Sequence, residues 1–89
     1  MTITFEFTLQ EGYSDQRGMR RETFQREASM LCVPRVGDTV ETGYGHSSVS
    51  WVDWSPWDDS QVFILLNEAF TGSEPWDDAL AAIRKEGWG

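Results

Sequence analysis

The sequence predicts a mainly β domain of the α+β class: a small, antiparallel, partly open barrel of about five strands with one C-terminal α-helix. Three observations carry this reading. Thr2 to Leu9 alternates apolar and polar residues with a period of two. Val33 to Leu66 is punctuated by proline and glycine turn signals at the short spacing of a β fold. Ser73 to Gly87 carries the end signals and apolar spacing of a single helix.

The first strand puts Ile3, Phe5, Phe7 and Leu9 on a buried face and Thr4 and Glu6 on a wet one. Gln10 to Gly18, with Gly12, Ser14, Asp15 and Gly18, reads as a loop. Met19 to Glu27 offers only Met19 and Phe24 as large apolar residues among its arginines, and predicts no element. A second strand is expected over Glu27 to Val33, paired with the first. It would set Ala28, Met30 and Cys32 on one face and Leu31 and Val33 on the other.

Pro34 to Asp38 is a turn, with proline pre-setting φ and Gly37 free to take the positive φ of a tight turn. Thr39 and Val40 begin a strand. Gly43 and Gly45 mark a second turn near Thr42 to His46. Ser47 to Trp54 is rich in β-branched and aromatic residues and reads as the next strand. Ser55 to Ser60 breaks it. The apolar run Val62 to Leu66 fits a strand or a helix by length and pattern; its valine, phenylalanine and isoleucine favour the strand.

The spacing P-x-x-G-D-x-V at Pro34, Gly37, Asp38 and Val40 resembles small bacterial and phage proteins of SH3-like barrel fold. It is followed by V-x-x-V-x-W at Val49, Val52 and Trp54 and by V-x-I-x-L at Val62, Ile64 and Leu66. These motifs are turn and core positions over about a third of the chain. The resemblance therefore implies a fold and carries over no catalytic residue.

In the C-terminal segment Ser73 is the expected N-cap, with Pro75 in the first turn where its missing N–H costs nothing. Asp77 and Asp78 lie near the positive end of the helix dipole, and Arg84 and Lys85 near the negative end. Trp76, Ala79, Leu80 and Ile83 share one face, and Gly87 is the stop.

At 89 residues, without a long linker or low-complexity tract, the chain is expected to be one domain, 1–89. No apolar stretch approaches the roughly 18 residues of a membrane span. The N-terminal residues lack a charged segment followed by an apolar one, so a cytoplasmic protein is expected. A single cysteine, Cys32, excludes an internal disulfide and a cysteine-based zinc cluster, and reads as a small buried residue in a strand. His46 reads as a solvated turn residue.

Fifteen acids against seven lysines and arginines give a net charge of -8. Residues 1–35 balance five acids with five arginines; residues 36–89 hold ten acids and two bases. That imbalance argues against direct nucleic-acid binding, which draws its affinity from cations on phosphates, and favours partners with a basic surface.

Phosphate-binding and dinucleotide glycine motifs are missing. The Asp58-Asp59 and Asp77-Asp78 pairs are sequence neighbours that point into water rather than into one pocket. Asp53, Asp58 and Asp59 lack the glycine turn of a calcium loop. No serine is paired with a second group that would orient His46. Catalysis, metal and cofactor are therefore not expected.

Trp51, Trp54 and Trp57 lie within seven positions, and alternation sends Trp51 and Trp54 to opposite faces of a strand. A core this small takes one of them easily. The expected function is a non-enzymatic protein-interaction module with an acidic, tryptophan-bearing face formed by Trp54, Trp57, Asp58 and Asp59. The alternative is an inhibitor of phage type, against host or defence machinery, whose carboxylates imitate a phosphate backbone.

Overall fold

The structure is a computed structural model; it describes residues 2–55 and 58–89, and side chains for all of these except 55 and 58–60. Its elements are β1 (Thr2–Gly12), β2 (Arg17–Ser29), β3 (Thr39–Glu41), β4 (His46–Ser55), β5 (Asp58–Leu66), β6 (Ala69–Phe70) and α1 (Trp76–Lys85). The strands form one six-stranded sheet in the order β2-β1-β5-β4-β3, with β6 also paired to β1. The sheet is not closed.

β1 makes the most pairings in this sheet, with β2, β5 and β6. Ile3, Phe5, Phe7 and Leu9 are buried, as the alternation requires. Thr4 and Glu6 are half-buried rather than exposed, because β1 has a neighbour on each side and long side chains lean across it. Antiparallel β2 lies on one side, with Phe5 opposite Arg26 and Phe7 opposite Phe24. On the other side β5 and β6 run parallel to β1 as one interrupted strand. Ile3 faces Val62 and Phe5 faces Ile64, then Leu9 faces Ala69. A fully antiparallel sheet is thus not what forms.

Residues 10–29 are a long hairpin arm, not a loop followed by a strand at Glu27 to Val33. β1 extends to Gly12, whose φ is +90°, and a Cβ there would collide with the Gln16 carbonyl oxygen. Tyr13 and Gln16 exchange backbone hydrogen bonds of 3.2 and 3.1 Å to turn the chain. β2 is polar at nearly every position because it is an edge strand, and only Phe24 enters the core.

β2 ends at Ser29, and β3 starts on the opposite edge of the sheet. The intervening residues 30–38 must therefore cross the core face. Met30 and Val33 pack on the core as they do so. Leu31 and Cys32 point out into solvent, so Cys32 is neither buried nor in a strand. The Pro34 to Asp38 turn is present: the Arg35 N–H donates to the Asp38 carboxylate at 2.8 Å, and the Asp38 N–H donates back to the Arg35 carbonyl at 2.9 Å. Val62 to Leu66 is strand, with Val62, Ile64 and Leu66 inward.

α1 covers one end of the core through buried Ala79 and Ile83 and half-buried Trp76 and Leu80. Its N-cap is Pro75, with no side-chain cap. Ser73 is instead taken up in the turn closed by the Glu74 N–H on the Thr71 carbonyl, at 3.0 Å. Beyond the helix, Gly87 takes φ of +93° and turns the chain inward. Trp88 then enters the core and meets the Phe7 ring edge-on at 4.7 Å between centroids.

Candidate functional site

Of the four expected site residues, one can be placed in full. Trp54 lies in β4 opposite Val62, so it is on the inner face of the sheet, yet it stays 49% exposed at the end of the strand. Trp57 lies outside the described residues. Asp58 and Asp59 begin β5, and Asp58 pairs with Ser55. Their side chains lie outside the described part. Their backbone belongs to a strand, where the sequence pattern suggested a loop from Ser55 to Ser60.

Trp51 is opposite Leu65, on the outer face, and 61% exposed. Trp51 and Trp54 therefore do emerge on opposite faces. Neither is a core residue; among the described residues the buried tryptophan is Trp88. A bulge between Val49 and Trp51 sets this phase. It keeps Val49 and Val52 inward and turns Trp51 out beside half-buried Phe63 and Leu65.

A well-formed groove lies elsewhere, in the open seam between the edge strands β2 and β3. It measures about 790 Å³, and its floor is Phe5. Ala28 and Arg26 line the β2 side, Val40 and Glu41 the β3 side, and Val33 and Arg35 come from the crossing segment. Trp88 stands at one end. Alternation explains Arg26: it sits across from Phe5, on the inner face, where the edge of the sheet leaves it exposed.

The C-terminal residues tie the two edges together at that end. Gly89 exchanges backbone hydrogen bonds with Gln25 on the free side of β2, at 2.7 and 2.9 Å. The Trp88 indole N–H donates to the Thr42 carbonyl beyond β3, at 2.8 Å.

The groove's charges are unevenly engaged. Asp38 accepts from the Arg35 backbone. Glu41 accepts from the Gly43 N–H at 2.6 Å and lies 3.1 Å from the His46 Nε2. Among the described residues, neither the Arg26 nor the Arg35 guanidinium has an ion-pair partner, whereas Arg17, Arg20 and Arg84 each have one.

Below Thr42 the β3–β4 hairpin also contacts the segment before α1. The Tyr44 hydroxyl donates to the Glu74 carboxylate at 2.7 Å. Burial, and then that hydrogen bond and its negative charge, hold the Tyr44 phenol well above its ordinary range.

No family model, curated protein or solved structure matches the chain. The site must therefore be argued from its own chemistry. Among the described residues no three of histidine, cysteine, aspartate and glutamate converge as metal ligands. No described helix is long and apolar enough to cross a membrane. The groove residues that sequence reasoning missed are Arg26, Arg35 and Trp88. Only Arg35 had a local signal, the turn at Pro34 to Asp38. Arg26 needed the register of β2, which one apolar residue cannot set.

Proposed function

We propose that this chain is a non-enzymatic protein-interaction module on a small, partly open, SH3-like barrel, and that the β4–β5 hairpin with Trp54, Trp57, Asp58 and Asp59 is its contact face. The supporting observation is the exposure of Trp54 on a strand face whose other apolar residues, Val49 and Val52, are buried and half-buried. A half-exposed indole on the inner face is apolar area that a second protein can remove from water, at about 25 cal/mol per Å². Tryptophan is also over-represented among the residues that dominate interface energies. The neighbouring acids suit a partner with a basic surface.

The test compares Trp54→Ala and the Asp58→Asn, Asp59→Asn pair with the parent protein in partner capture and in melting temperature. Loss of capture by Trp54→Ala at nearly unchanged melting temperature supports the reading. Unchanged capture by both variants overturns it. Salt separates this reading from a carboxylate mimic of nucleic acid. A mimic seated in a basic groove loses affinity steeply as salt rises, because exposed charge pairs are screened; a tryptophan-anchored contact does not.

A further inference from the structure

We propose that the seam between β2 and β3 is a second binding site, which takes an extended, acidic segment of a partner protein as an added strand on the free edge of β2. Apolar side chains of the segment enter the groove over Phe5, and its carboxylates meet Arg26 and Arg35. This site is separate from the β4–β5 hairpin and does not depend on it.

Backbone geometry is the first support. Gln25 directs both its N–H and its C=O away from β1, to Gly89. The β1–β2 register runs unbroken from Thr2–Ser29 to Gln10–Arg21. In an antiparallel ladder, alternate residues point their polar groups the same way, so Glu27 and Ser29 present theirs to the seam as well. Gly89 shows that this edge accepts a strand-like segment. The next outward position toward Ser29 is Glu27, beyond the point where Gly87 passes the Arg26 guanidinium. Strand addition of this kind draws affinity from main-chain bonds and specificity from alternate side chains.

The lining is the second support. An added strand sends every other side chain inward, onto Phe5, Ala28, Val33 and Val40. The charges are the third. Asp38 and Glu41 are held by their own turns, while the guanidinium groups of Arg26 and Arg35 are not ion-paired among the described residues. The groove's two cations are balanced in number by Asp38 and Glu41, but those acids are already hydrogen-bonded within their own turns, so the guanidinium groups are the ones left to take a carboxylate. Arginine does this well because its planar fork matches a carboxylate.

The probe is the peptide acetyl-Glu-Thr-Val-Thr-Val-Thr-Glu-amide, which sets glutamate and valine on one face. It is titrated into isotope-labelled full-length protein and followed by NMR. Expected are shifts at Arg26, Glu27, Ala28, Val40 and the Trp88 indole, and slowed exchange of the Glu27 amide. The same peptide with lysine for glutamate should bind at least ten-fold more weakly. Arg26→Gln with Arg35→Gln should erase that difference. Glu27→Pro removes the outward N–H of an edge position, where proline is tolerated. It should weaken binding at least ten-fold relative to Glu27→Gln, with the Phe7, Phe24 and Trp88 resonances in place. If Glu27→Pro fails to fold, the arginine variants still decide. No shifts at millimolar peptide, equal binding of both peptides, or shifts confined to Trp51 and Trp54 would overturn the proposal.

Discussion

The indole of Trp88 hydrogen-bonds the carbonyl of Thr42 at 2.8 Å, and so joins the C-terminal segment to the β3–β4 hairpin. The same ring is packed on Phe7 in the centre of β1. One side chain therefore ties the β3 end of the sheet to β1. Trp88→Ala should cost about 3–5 kcal/mol. Trp88→Phe keeps much of the ring but strands the Thr42 carbonyl, and should cost about 1–3 kcal/mol. Urea denaturation of both variants checks this, and a loss below about 1 kcal/mol for the alanine variant would contradict it.

The helix is held more by aliphatic residues than by its tryptophan. Ile83 is fully buried and Trp76 only half so. Ile83→Ala should cost about 2–5 kcal/mol. Trp76→Ala should cost less, despite removing a larger ring. The reverse order in denaturation midpoints would show that the ring carries the helix.

Stability should fall at alkaline pH through Tyr44. Its phenol ionises at higher pH in the fold than in the unfolded chain. Up to the unfolded value of about 10 both states keep the proton and the contribution is whole. As pH rises further the unfolded chain ionises first, and the contribution is lost toward the folded pKa. Tyr44→Phe should remove this part of the pH dependence and cost about 1 kcal/mol at neutral pH. Parallel pH-dependent slopes for the two proteins would refute it.

Amide exchange should divide β2 by alternation. The amides of Phe24 and Arg26 face β1 and should exchange slowly. The Gln25 amide should also be slow, because Gly89 covers it at 2.7 Å. Glu27, two positions on, should exchange quickly. Removal of Gly89 should make Gln25 behave like Glu27; continued protection of Gln25 would mean that another group covers that edge.

β1 was legible because its whole pattern is set by burial on one face, and four apolar residues at period two state that without ambiguity. β5 was legible only in part: the continuous apolar run Val62 to Leu66 fits a helix as well as a strand by pattern, and only its β-branched and aromatic residues favoured the strand. β2 was not, since a strand with water along its edge and on most of its side chains leaves only Phe24 to mark its phase. Trp88 follows Gly87, which reads correctly as a helix stop; that the chain then returns to the core depends on space left beside Phe7, which is tertiary information. On the contact side, alternation gives the opposite faces of Trp51 and Trp54, but neither the bulge after Val49 that assigns the faces nor the exposure of both rings. Nor does it give the groove, which exists only where two edges distant in sequence approach each other.

The parallel pairing of β1 with β5 has a consequence for how the protein is made. Ile3 leaves the ribosome well before its partner Val62, which follows only after most of the intervening strands. Until then β1 has β2 on one side and, on the other, a bare row of hydrogen-bonding groups beside Phe5 and Phe7. Such an arrangement must fold late and, by its long-range pairings, in milliseconds to seconds. The nascent β1–β2 hairpin is thus exposed, during synthesis, to pairing with its own copies.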